Sequence, residues 1–150
     1  MTSAPVASEL ELHLAYDLRE LSRAHIATLA LYNRHGTTPR VRYLVDFAIE
    51  EVVSNIIRHS HREDTVPVAT IAVRVNVDAE RCELHFIDRG PAFDPLQAPE
   101  PDLQLPLAQR RVGGVGLPLL RRMMTAMRYE RAADANHLHV TIADEQPGPG

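Results

Sequence analysis

Three short segments carry residue types whose spacing could do chemistry. The first is Glu50-Glu51-Val52-Val53-Ser54-Asn55-Ile56-Ile57-Arg58-His59. At about 100° per residue, a helix sets Glu51, Asn55 and Arg58 on one polar stripe with His59 at its border. Ile49, Val52, Val53 and Ile56 fall on the opposite, buried side. A carboxylate and a carboxamide so placed can hold a hard cation and activate a hydroxyl. They also fit the solvated face of an amphipathic helix. The second segment is Ile87-Asp88-Arg89-Gly90-Pro91-Ala92-Phe93-Asp94-Pro95. An aspartate at a strand end can accept a hydrogen bond from an exocyclic amine, and Gly90 lets a flat ring approach the backbone. A plain Asp-x-Gly turn reads the same way. The third is Gly113-Gly114-Val115-Gly116, opening a helix. Free N–H groups at a helix start bind phosphate, helped by the macrodipole; a hinge before a helix is the plainer reading. This is not the dinucleotide fingerprint, because no strand leads directly into it and no third spaced glycine follows.

The elements that must position these segments follow from periodicity. Residues 1–8 read as a flexible leader. Leu10, Leu12, Leu14 and Tyr16 alternate as in a half-buried strand. Asp17 and Glu20 form a capping-box pair for a helix to about Asn33, ended by Gly36, with Leu18, Leu21, Ile26, Leu29 and Tyr32 available for burial. Thr38-Pro39 starts a second helix, which runs to about His59. Residues 66–77 alternate again, with Ile71, Val73, Val75 and Val77 on one side, and a turn at Asp78–Arg81 leads to a strand from Cys82 to Ile87. Residues 91–112 hold five prolines and no period, a long loop of the kind that is usually functional. Leu117, Leu119, Leu120, Met123, Met124 and Met127 mark a third helix. Tyr129–Ala132 and His137–Ile142 read as strands joined by a turn at Asp134-Ala135-Asn136, and 145–150 as a disordered tail. The grouped order β-α-α-β-β-loop-α-β-β predicts one domain over 9–144 in the α+β class. It is a two-layer sandwich, a mixed, mostly antiparallel sheet covered on one face by three helices.

Composition narrows the function. The 150 residues are 45% hydrophobic and 24% charged with a net charge of −4, which suits one globular domain and argues against a broad basic nucleic-acid-binding face. All 16 basic residues are arginine, so a phosphate-gripping lysine and lysine Schiff-base chemistry are excluded. No run approaches about 18 apolar residues, so no membrane span is expected. No basic flank precedes an apolar block near the N-terminus, so no secretory signal is expected either. The single cysteine, Cys82, makes no internal disulfide, and a reducing cytoplasm is the simplest setting. His59-x-His61 and His137-x-His139 lack a partner at diagnostic metal-ligand spacing and read as surface histidines.

Taken in order, "EEVVSNIIRH", "DRGPAFDP" and "VGGVGLPLLRRMM", followed by "YER" and "ANHLHV", resemble the N box, the two glycine boxes and the closing hairpin of the GHKL ATPases. Within that Bergerat-fold superfamily, the chain is most similar to the RsbW-like anti-sigma-factor serine/threonine kinases, over roughly residues 10–143. The resemblance implies ATP and Mg²⁺ as cofactors. It implies Asn55 as the metal ligand, Glu51 as the general base for a protein hydroxyl, Asp88 as the partner of the adenine amino group, and Gly90 as the adenine floor. It makes 91–112 an ATP lid, aims the backbone of Gly113, Gly114, Val115, Gly116 and Leu117 at the phosphates, and sets Arg110 or Arg111 near the γ-phosphate. Arg58 and Phe93 fall among the nucleotide-binding residues. Asn136 stands where many members carry an adenine-contacting threonine, and Pro91-Ala92 where many carry a second glycine. The implied partners are a sigma factor, a STAS-domain antagonist that is phosphorylated, and a second copy of the chain. An ATP-binding regulatory module without kinase activity and a detached histidine-kinase catalytic domain are the alternatives.

Overall fold

The computed structural model describes residues 8–60, 70–97 and 116–144. Its elements are β1 (Ser8–Leu14), α1 (Glu20–His35), α2 (Pro39–Ser60), β2 (Ile71–Val77), β3 (Arg81–Asp88), a 3₁₀ turn (Pro95–Gln97), α3 (Gly116–Met123), β4 (Ala126–Ala132) and β5 (Ala135–Ala143). The strands form one five-stranded sheet in the order β1-β2-β3-β5-β4. All four described pairings are antiparallel, so the expected parallel component of a mixed sheet is absent among the described residues.

The period-two pattern decides which face is buried. Leu12 and Leu14, Ile71 to Val77 in alternation, Cys82, Leu84 and Phe86, and Leu138, Val140 and Ile142 all point to one side and are nearly inaccessible. Against them lie Ala24, Leu31 and Tyr32 of α1, Val41 to Ile57 of α2, and Leu117 and Leu120 of α3, in one continuous core. Three helices therefore cover one face of the sheet, as the sequence pattern predicts. α2 is the central helix, and its buried residues recur at three- and four-residue spacing from Val41 to Ile57. Thr38 Oγ1 accepts the Val41 N–H at 3.4 Å, and Pro39 occupies the first helical position, where no N–H is needed. No described helix is long and apolar enough to cross a membrane.

Several local expectations are corrected. Asp17 does not cap α1: its Oδ1 accepts the Arg19 N–H in a tight turn, and the helix begins at Glu20 without a side-chain cap. The arginine beside it holds the Asp17 carboxyl down to about 2. Leu18, Ile26 and Leu29 are exposed, because α1 turns Ala24, Thr28, Leu31 and Tyr32 inward instead. α1 runs past Asn33 to His35 and ends at Gly36, whose φ of 60° is a left-handed cap that glycine takes without strain. Met127 belongs to β4, not α3, since the helix stops at Met123. The last hairpin turns one residue early, at Ala133 and Asp134, both with positive φ. That shift puts Ala135 and Asn136 inside β5. Ser8 already pairs with Val77, so the expected leader is shorter by one residue. The rest of that leader, the lid beyond Gln97, Val66 and Val68, and the tail lie outside the described residues.

The sheet face away from the helices is polar. His85 there stacks on His139 with ring centroids 4.0 Å apart, and its Nε2 lies 3.0 Å from His137 Nδ1. Even so, no group of three or more His, Cys, Asp or Glu among the described residues is arranged to hold a metal. Burial, then the neighbouring His139, His137, Arg74 and Arg128, hold His85 down to about 4 from an ordinary 6.5. The unfolded chain therefore takes up this proton first, and stability falls as pH drops from about 6.5 to about 4 and levels off below. His85→Gln is expected to flatten that stretch of a melting-temperature profile. An identical slope in both proteins would show that His85 is not its source.

Candidate active site

The site grows from three places where the core ends. On α2, Asn55 sits one turn beyond Glu51, turned toward the sheet, and is 6% exposed. At the end of β3, Asp88 is the direct register partner of Asn136 on β5, and both are buried. Leu117, in the first turn of α3, is packed into the core beside them. These elements line a cleft whose walls include Asn55, His59, Asp88, Phe93, Leu117 and Asn136.

The polar groups of the cleft are arranged. Asp88 Oδ1 accepts the Gly90 N–H at 2.9 Å and Asn136 Nδ2 at 3.1 Å. Burial raises the Asp88 pKa, while these hydrogen bonds and Arg131 oppose the rise. Arg131 donates to Gly90 O at 2.7 Å, so the backbone after Asp88 is pinned from β4. Tyr16 adjoins the same carboxylate, and its hydroxyl is pushed up to about 12 by burial and then by the Asp88 charge. Asn55, only 6% exposed, turns its amide to the wall of the same cleft. A carboxamide oxygen at the wall of a cleft is a donor type that suits a hard cation such as Mg²⁺.

Glu51 stands just outside this wall. A Cβ placed on Gly116 would run into the Glu51 carboxylate, so that carboxylate packs directly against the start of α3. Burial raises the Glu51 pKa, and the Arg58 charge partly restores it. Glu51 is thus a carboxylate of increased basicity, beside the positive end of a helix.

The structure brings Asn55, Asp88, Phe93, Leu117 and Asn136 to one cleft, with Gly90 tied to Asp88 and Glu51 against Gly116. Arg58 is exposed and acts on Glu51 only through its charge. Arg110, Arg111, Gly113, Gly114 and Val115 lie outside the described residues. His59 is exposed, as expected of a surface histidine, and it also lines the cleft and stacks on Phe93 at 4.0 Å and 20°. Ile56, expected in the core, also lines the cleft, and Ile57 takes its buried place. Tyr16 and Tyr129 were not legible as site residues, because only strand register and packing bring them to Asp88 and Asn136.

A helix-covered antiparallel sheet with this cleft defines an ATPase domain of the histidine-kinase type, and residues 14–148 match the model of the histidine kinase-like ATPase domain family. The chain belongs to that family. It is 35% identical over 134 residues to the serine/threonine-protein kinase BtrW of Bordetella bronchiseptica, covering 83% of this chain and 92% of that protein. The RsbU and RsbW domains of Rv1364c from Mycobacterium tuberculosis superpose with a TM-score of 0.62 at 17% identity, over 93% of this chain and 33% of that one. The second likeness is one of fold.

Proposed function

We propose that this protein is an ATP-dependent protein serine/threonine kinase. It acts as an anti-sigma regulatory factor in the cytoplasm, as a homodimer that phosphorylates a STAS-domain antagonist and sequesters a sigma factor. The observation that carries the catalytic part is the placement of Glu51: a carboxylate made more basic by burial, packed on Gly116 beside a cleft that holds Asn55 and Asp88. A pure nucleotide binder needs no base there. The likeness to BtrW, named as a serine/threonine kinase, supports the same reading.

In this proposal Asp88 receives the adenine amino group while Gly90 leaves space for the ring. Asn55 holds Mg²⁺, which when bound offsets phosphate charge and orients the triphosphate. The start of α3 presents backbone N–H groups to the phosphates. Glu51 takes the proton from a serine or threonine hydroxyl of the antagonist as its oxygen bonds to the γ-phosphorus. The bond from that phosphorus to the β,γ-bridging oxygen breaks, and ADP leaves with the electron pair. With no lysine in the chain, arginine and the helix start supply the protein's share of positive potential.

The test is incubation of the chain with Mg-ATP and a STAS-domain protein, followed by mass spectrometry of the product. Acid-stable phosphoserine or phosphothreonine is expected. Acid-labile phosphohistidine would establish a detached histidine-kinase domain instead, and ATP binding without any transfer a regulatory module.

A further inference from the structure

Asn136 is buried, and every hydrogen-bonding position of its amide is engaged. Nδ2 donates to Asp88 Oδ1 at 3.1 Å and to Pro91 O at 2.9 Å. Oδ1 accepts the Tyr129 hydroxyl at 2.5 Å and the Phe93 N–H at 3.3 Å. A backbone N–H only donates, so Phe93 settles which end of the amide is oxygen. The amide cannot bond a nucleotide base without giving up a protein partner. It ties the edge strand β4 to the end of β3 and to the Pro91–Phe93 backbone that follows it, more than 30 residues earlier in the chain.

We propose that Asn136 and Tyr129 are positioning residues for base selection, holding the Asp88 carboxylate and the Pro91–Phe93 backbone as one rigid unit. This rests on the nucleotide-binding reading above. Oδ1 of Asp88 is occupied by Gly90 and Asn136, whereas Oδ2 accepts no hydrogen bond from a described residue. Oδ2 is therefore the oxygen left for a base. A carboxylate oxygen held in place accepts from the 6-amino group of adenine but faces an acceptor, the 6-oxo group, in guanine. Such a mismatch discriminates only if the carboxylate cannot turn away. Asn136 prevents that turn, and Tyr129 prevents Asn136 from turning. The residue type matters: a threonine hydroxyl has one donor hydrogen and cannot bond Asp88 and Pro91 together.

The experiment compares ATP and GTP binding, by calorimetry with Mg²⁺, in the wild type, Tyr129→Phe and Asn136→Thr, with melting temperatures measured in parallel. Tyr129→Phe keeps the ring and loses one hydrogen bond. It is expected to weaken ATP about three- to tenfold while leaving GTP unchanged, so that the ATP/GTP ratio narrows. Asn136→Thr is expected to narrow it further. Unchanged ratios in both variants overturn the proposal, as does an equal loss of both nucleotides accompanied by a lower melting temperature, which marks a merely structural role. A wild type that binds ATP and GTP alike overturns it as well. A wild type that binds neither overturns the nucleotide-binding reading itself, a result distinct from intact ATP preference that the variants retain.

Discussion

Glu51→Gln is expected to lower phosphate transfer about 10²- to 10⁴-fold with little change in ATP affinity. The amide is nearly the same size and fills the same space against Gly116, so the nucleotide cleft is preserved while the proton acceptor is lost. A base acts in the transition state, so the loss belongs in kcat and not in binding. The pH dependence has a defined sign. Burial lifts the Glu51 pKa above the ordinary 4.5, and the base works only when ionised. Wild-type transfer therefore declines as pH falls through a midpoint above 4.5, and the residual activity of the glutamine variant lacks that limb. The same shift means that the folded state disfavours the ionised carboxylate. This destabilisation is present above the folded pKa and is relieved as pH falls through it. The variant should accordingly melt at the wild-type temperature or higher at neutral pH. Single-turnover transfer and thermal melts across pH 4 to 8 check both halves. Transfer at the wild-type rate would remove Glu51 from the mechanism.

Gly116→Ala is expected to give nearly the same catalytic loss without touching any ionisable group. The new Cβ would run into Oε2 and Cδ of Glu51 and touch its Oε1. Those atoms are the far end of a flexible side chain, so the carboxylate swings aside and the fold persists. Gly116 is the first residue of α3, where the preference of helix interiors for alanine does not act, so little change in stability is expected. A base displaced by more than about 1 Å costs roughly 10²-fold or more. Loss of transfer with a retained melting temperature and retained ATP binding is the signature to measure. Full activity would mean that the carboxylate does not need the place it occupies beside α3.

The architecture was largely legible because its signals are local. The alternation at Ile71, Val73, Val75 and Val77 and the 3.6-residue spacing from Val41 to Val53 each bury one face, and both recur in the structure as read. The errors fall where local signals compete. Asp17 and Glu20 look like a capping box, but Arg19 engages the aspartate and removes it as a cap. Ile26 and Leu29 are apolar and at helical spacing, yet the face that α1 buries is the one carrying Ala24, Thr28, Leu31 and Tyr32. Met127 continues the apolar run of α3, but antiparallel pairing with Val140 claims it for β4.

By itself the sequence determined the chemistry available: a glutamate and an asparagine one helical turn apart, an aspartate at a strand end, glycines before a helix, and no lysine. Periodicity is enough for this, since residues four apart on a helix share a face whatever surrounds them. Only the tertiary structure decided which of these groups meet. Asp88 faces Asn136 because β3 and β5 pair in one register, and a slip of β5 by one residue would turn Asn136 to the other side of the sheet. Glu51 meets Gly116, His59 meets Phe93 and Tyr129 meets Asn136 across 65, 34 and 7 positions of chain. Contacts of this kind depend on how the helices pack on the sheet and how a hairpin turns, and no pattern within a single segment encodes them.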